Sequence, residues 1–128
     1  MSVDLSMRVL IVDDYKTMLR IIRNLLKQIG FDNVDEANDG AEALQKMRST
    51  DYGLVISDWN MEPMTGLQLL KEVRSDKKLK TVPFIMITAE SKTENVLAAK
   101  EAGVNNYIVK PFNAETLKTK LTSVLGNF

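Results

Sequence analysis

The chain has 128 residues, and its 17 lysines and arginines balance its 17 aspartates and glutamates, so neither nucleic acid nor an anionic membrane is the expected main partner. It lacks cysteine and histidine altogether, which excludes thiol nucleophiles, disulfides, thiolate or imidazole zinc sites and Ser-His-Asp catalysis. Chemistry in such a chain must run on carboxylates, hydroxyls, lysines and backbone, and any metal should be hard and oxygen-loving: magnesium, manganese or calcium.

Short apolar runs alternate with helical patterns along the whole sequence. Residues 8–13 read as a buried strand from their β-branched content. From Lys16 the period changes, and Met18, Ile22, Leu25, Leu26 and Ile29 fall on one helical face that Gly30 terminates. A weak second strand spans 33–37 and a second helix 39–48. Residues 53–57 form a third strand, and Leu67, Leu70 and Val73 mark a third helix. The fourth strand, 83–88, opens with proline where the missing donor does least harm. A helix over 91–102 ends at Gly103, and 106–110 is the fifth strand. Asn113 is a natural N-cap for a last helix whose Ala114, Leu117, Leu121, Val124 and Leu125 share a face.

This alternation predicts an α/β fold, a doubly wound parallel sheet of five strands with helices on both faces. No linker, repeat or low-complexity stretch divides the chain, so residues 1–128 read as one domain. No apolar run nears 18 residues and no charged-then-apolar leader is seen, so a cytoplasmic location is expected.

Ligands of open α/β sheets bind beyond the carboxyl ends of the strands. Those ends carry Asp13 and Asp14, then Asp58, Thr88 and Lys110, and the first strand-to-helix turn has neither the dinucleotide fingerprint nor the P-loop. Three carboxylates, a hydroxyl and an ammonium at one edge suit a magnesium ion shared with a phosphoryl group. Asp58, in the middle, can attack phosphorus, while the metal and Lys110 neutralise charge on its oxygens and Thr88 hydrogen-bonds the bound group. Taken singly these residues have plainer explanations: Asp14 as a helix N-cap, Lys110 and Thr88 as solvated strand ends, Asp58 as the start of a turn. Their conjunction at four strand ends of one polarity favours the functional reading.

At these residues the chain resembles the bacterial response-regulator receiver family, and its chemotaxis members most. The matching stretches are Val-Leu-Ile-Val-Asp-Asp-Tyr at 9–15, Ser-Asp-Trp-Asn-Met at 57–61, Thr-Ala-Glu at 88–90 and Tyr-Ile-Val-Lys-Pro-Phe at 107–112. The resemblance implies a flavodoxin-like strand order of 2-1-3-4-5. It implies Asp58 as phosphoacceptor, and magnesium on Asp14, Asp58 and the backbone carbonyl of Asn60, with Asp13 acting mainly through water. Lys110 would pair with the phosphoryl group, Thr88 would turn toward it and Tyr107 would move inward near Thr88. The Lys110–Pro111 bond would be cis. The output face would be the fourth helix, fifth strand and fifth helix, with Val96, Lys100, Tyr107 and Lys120 as leading contacts.

Chemotaxis members often read Asn-Met-Pro-x-Met-Asp-Gly after the acceptor; here Asn60-Met-Glu-Pro-Met-Thr-Gly66 places Pro63 one position late and Thr65 for the acid. Glu62 adds an acid close to the site, with a solvated loop charge as its plainer role, and Thr93 stands where lysine is frequent. The implied function is a stand-alone, monomeric response regulator, not an enzyme toward other molecules. A sensor histidine kinase would supply phosphoryl and a flagellar motor switch protein would receive the signal, and a phosphatase can be a further partner. The alternatives are a phosphate sink that binds no motor and, remotely, a haloacid-dehalogenase-type phosphatase. That phosphatase family opens with Asp-x-Asp and encloses its substrate with a cap region, both missing here. A flavin module of the same fold would need a phosphate-binding first loop that this chain lacks.

Overall fold

The computed structural model describes residues 5–89 and 93–126. Strands and helices alternate as β1 Val9–Val12, α1 Lys16–Ile29, β2 Val34–Ala37, α2 Gly40–Ser49, β3 Leu54–Asp58, α3 Gly66–Ser75, β4 Phe84–Thr88, α4 Thr93–Glu101, β5 Asn106–Val109 and α5 Ala114–Leu125. Several strands begin one residue later than the sequence suggests. Asn33, Arg8 and Pro83 lend single carbonyls to the N–H groups of Val9, Gly53 and Val55, but regular pairing starts only beyond them. Ser91, the first residue of the fourth helix in the sequence pattern, lies outside the described residues, as do Glu90 of the 88–90 stretch and the side chain of Thr93.

The sheet runs β2-β1-β3-β4-β5 and every neighbouring pair is parallel. The central strands β1, β3 and β4 are buried throughout, which is why they read as continuous apolar runs, while edge strands β2 and β5 are only partly covered. Successive strand side chains point to opposite faces. Val9, Ile11, Leu54, Ile56, Ile85, Ile87 and Ile108 therefore pack with Leu19, Ile22 and Leu26 of α1 and Leu117 and Leu121 of α5. Leu10, Val12, Val55, Phe84 and Met86 pack on the other side with Ala43, Leu44 and Met47 of α2 and Leu69, Leu70 and Val73 of α3. Truncating a fully buried aliphatic such as Ile56 to alanine in such a layer typically costs about 2–5 kcal/mol.

Local signals set the helix ends. Gly30 adopts φ 125°, the left-handed region that glycine tolerates, and its N–H closes α1 on Leu26 and Lys27. Asp39 caps α2 by accepting from Glu42 N–H, and Asn113 caps α5 by accepting from Thr116 N–H. Helix α3 starts with a capping box: Thr65 accepts from Gln68 N–H, while the Gln68 side chain accepts from Thr65 N–H. Thr65, which departs from the acid common at this place, thus still serves as an N-cap.

Candidate functional site

All strands of a parallel sheet end on the same side, so residues far apart in sequence meet at one edge through topology alone. Asp13 and Asp14 follow β1, Asp58 closes β3, Thr88 closes β4 and Lys110 follows β5. Carboxylate oxygens of Asp13, Asp14 and Asp58 lie within 4.8 Å of one another. Asp13 and Asp58 are buried, at 1% and 3% exposure, while Asp14 faces solvent. Asp14 is not the N-cap of α1: that position belongs to Tyr15, which makes no side-chain cap, because the chain turns one residue later.

Lys110 Nζ sits 2.7 Å from Asp58 Oδ1, joining the ends of β5 and β3 across the intervening β4. That contact is an ion pair without hydrogen-bond alignment, and Asp13 Oδ2 is likewise buried with no hydrogen-bond partner. The other Asp13 oxygen accepts from Tyr15 N–H at 3.0 Å. Burial pushes the Asp13 carboxyl up to about 6 from 3.8; the Tyr15 N–H opposes this, the Asp58 charge adds to it, and smaller contributions from Lys110 and Asp14 oppose each other. Like charges at ~4 Å repel by about 4 kcal/mol per pair at an effective dielectric near 20. A divalent cation converts that repulsion into binding. The orphaned oxygen and the all-carboxylate donor set fit a hard ion such as magnesium, manganese or calcium.

Asn60 lies on the loop between β3 and α3. It is exposed and lines a groove of about 900 Å3 with Asp14, Met61, Glu62, Pro63, Thr65 and Gln68. The loop is tied down at both ends and in its middle. Trp59 N–H donates to Ile87 O at 2.8 Å, Gly66 N–H donates to Trp59 O at 2.9 Å, and Met61 is buried at 2% exposure. Position 66 admits only glycine without a shift, because a Cβ there would run into the backbone carbonyl oxygen of Asp58 and sit 2.7 Å from Met86 Sδ. The Lys110–Pro111 peptide is cis as the resemblance implies, and Glu62–Pro63 is cis as well, which the sequence did not suggest.

Thr88 is buried at 6% exposure, and its carbonyl accepts from Lys110 N–H at 2.8 Å, linking the hydroxyl-bearing residue to the lysine through backbone. Register sets Met86 opposite Tyr107 and Thr88 opposite Val109, so Tyr107 and Thr88 belong to the same face of the sheet, diagonal to each other. Tyr107 is half-buried in the layer under α2 and α3, and Lys120 Nζ lies 5.2 Å from its ring centroid. Among the four residues expected on an output face, the structure thus joins Tyr107 and Lys120 directly. Val96, half-buried, and Lys100, exposed, stand one turn apart on α4.

Two features escaped the sequence reading. The Thr65-x-x-Gln68 capping box is legible in the sequence as a threonine three residues before a glutamine at a helix start. Arg74 has no such signal: its guanidinium donates to the carbonyls of Gly103, Lys80 and Val82 and to Asn105 Oδ1, which also accepts from Phe84 N–H. Burial lowers the pKa of this guanidinium.

Comparisons with known proteins agree with this fold. The family described as the response regulator receiver domain matches residues 9–122. Chemotaxis protein CheY-3 of Vibrio cholerae serotype O1 is 52% identical over 119 residues, covering 93% of this chain and 92% of the relative. Chemotaxis protein CheY of Pseudomonas aeruginosa is 49% identical over 118 residues, covering 92% and 95%. Among solved structures, chemotaxis protein CheY4 of Vibrio cholerae, crystallised at low pH, superposes with a TM-score of 0.88 at 38% identity, covering 94% of this chain and 99% of its own.

Proposed function

The chain belongs to the response regulator receiver domain family, and from that premise we propose that it is a phosphorylation switch of two-component chemotaxis signalling with Asp58 as its phosphoacceptor. The observation that carries the proposal is the Lys110 ammonium held 2.7 Å from the Asp58 carboxylate inside a ring of acids. A buried carboxylate flanked by one fixed cation is positioned to accept a group whose transfer spreads negative charge over three oxygens.

A carboxylate oxygen of Asp58 forms a bond to phosphorus as the bond from phosphorus to a histidine nitrogen of the donor kinase breaks, leaving an acyl phosphate on Asp58. Magnesium held by Asp14, Asp58 and the backbone carbonyl of Asn60, with Asp13 acting mainly through water, would neutralise charge on the phosphoryl oxygens. Lys110, already at the acceptor, moves its ammonium to the incoming oxygens. Thr88 supplies a hydroxyl from the next strand end, and its displacement frees space for Tyr107 on the same face of the sheet. Repositioning Tyr107 would alter the surface it forms with Lys120, and Val96 and Lys100 of α4 would complete an output face for a flagellar motor switch protein. The chain would then catalyse only its own phosphoryl transfer and loss, as a monomer in the cytoplasm. No helix among the described residues is long and apolar enough to cross a membrane.

Trp59 follows the acceptor directly and reports on it. Its fluorescence is expected to change on magnesium titration and again on adding acetyl phosphate, with mass spectrometry showing one added phosphoryl group. Asp58→Asn should lose the second response and the added mass. Labelling that survives in the Asn variant would refute Asp58 as acceptor.

A further inference from the structure

Among the described residues, the groove beside the acceptor has two charged side chains in its lining, Asp14 and Glu62, and both are acids. Its remaining polar lining comes from neutral Asn60, Thr65 and Gln68, two of which are committed to the capping box of α3. On the proposed function, which this inference rests on, Asp14 shares its charge with a cation. Among the described lining residues that leaves Glu62 as the uncompensated charge; it is exposed and enters no ion pair with them. Its backbone is not a free arm. Met61, just before it, is buried, and the Trp59–Gly66 hydrogen bond closes the loop around it.

We propose that Glu62 is a specificity-determining residue that discriminates among phosphodonors by charge, disfavouring small dianionic acyl phosphates relative to less charged donors whose phosphoryl group is bonded to nitrogen. With acetyl phosphate, an Asp58 oxygen bonds to phosphorus while the bridging P–O bond breaks and acetate leaves. With phosphoramidate the P–N bond breaks, and the nitrogen, already protonated, leaves as ammonia. The phosphoryl group delivered is the same, so the two donors differ in the charge they bring into the groove: about two negative charges for the acyl phosphate and about one for phosphoramidate at neutral pH. A fixed negative charge roughly 8 Å away in water slows arrival of each unit of like charge by about two- to threefold. The effect is screened by salt.

The test measures labelling rates of the wild type, Glu62→Gln and Glu62→Lys with acetyl phosphate and with phosphoramidate. Each is run at magnesium saturation set by that variant's own Trp59 titration, at low salt and at high salt. Glu62→Gln is expected to raise the acetyl phosphate rate about fivefold and the phosphoramidate rate about twofold at low salt, with Glu62→Lys widening the difference. Both gains should shrink at high salt. Equal changes with both donors, no change, or a donor difference that persists at high salt overturns the proposal. The receiver reading is judged separately, by whether the wild type gains a phosphoryl group that Asp58→Asn does not. If it gains none, that reading fails and the role of Glu62 falls with it.

Discussion

The carboxyl of Asp13 is buried, pushed up to about 6 and left with one oxygen free of hydrogen bonds, so ionising it works against the metal-free fold. The folded state holds the proton more tightly than the unfolded chain, whose carboxyl titrates near 3.8. Stability from this group therefore falls as pH rises from about 4 to about 6, and stays lowered above that. Asp13→Asn cannot ionise and escapes the loss. Thermal or urea unfolding in metal-free buffer should show the variant more stable at pH 7 by on the order of 2–3 kcal/mol, and the gain should vanish near pH 3. Asp13 was legible in the sequence as an acid closing a strand, but its orphaned oxygen was not. That depends on how α1 begins, since the Tyr15 N–H takes one carboxylate oxygen and leaves the other to the acidic ring.

Arg74 shows how one side chain can tie elements together. Rooted in the last turn of α3, it bonds the segment leading into β4 through Lys80 and Val82, and the turn between α4 and β5 through Gly103 and Asn105. Gly103 adopts φ 95°, and a Cβ there would come 3.1 Å from the Arg74 guanidinium nitrogen, so turn and arginine fit each other closely. Arg74→Ala would strand several carbonyl acceptors and is expected to destabilise the protein by about 2–3 kcal/mol, read as a lowered urea midpoint with unchanged slope. Arg74→Lys should recover only part of this, because an ammonium cannot reproduce the planar fork. The sequence reading placed α3, the turn at Gly103 and β5 correctly as separate elements. A clamp between them is a contact across 29 residues, which no local period encodes.

At the scale of the molecule, an acidic edge that could hold a cation would tie stability to it. A ligand that binds only the folded state stabilises it by about 2.7 kcal/mol at a hundredfold excess over its Kd. Magnesium is therefore expected to raise Tm by several degrees, measured by scanning fluorimetry or calorimetry at pH 7. Asp14→Asn should lose most of that rise while leaving the metal-free Tm close to its starting value, because Asp14 is exposed. A wild-type Tm indifferent to magnesium would remove the metal from the site altogether.

Periodicity and composition by themselves determined most of the architecture. Buried strands declared themselves by apolar runs, helices by their faces, and helix ends by Gly30 and Asn113, because each of these signals acts over a few neighbouring residues. In a parallel sheet the strand ends also share one edge, so Asp13, Asp14, Asp58, Thr88 and Lys110 could be assembled before any distance was known. The strand order came from family resemblance, since no local signal distinguishes one right-handed arrangement from another. Tertiary structure alone decided what these residues do to each other: the 2.7 Å approach of Lys110 to Asp58, the unpartnered oxygen of Asp13, and Lys120 over Tyr107. It alone set Glu62 in the same groove as Asp14. Such relations arise from rotamers and packing across distant segments, where a shift of one ångström changes the chemistry and leaves the sequence pattern untouched.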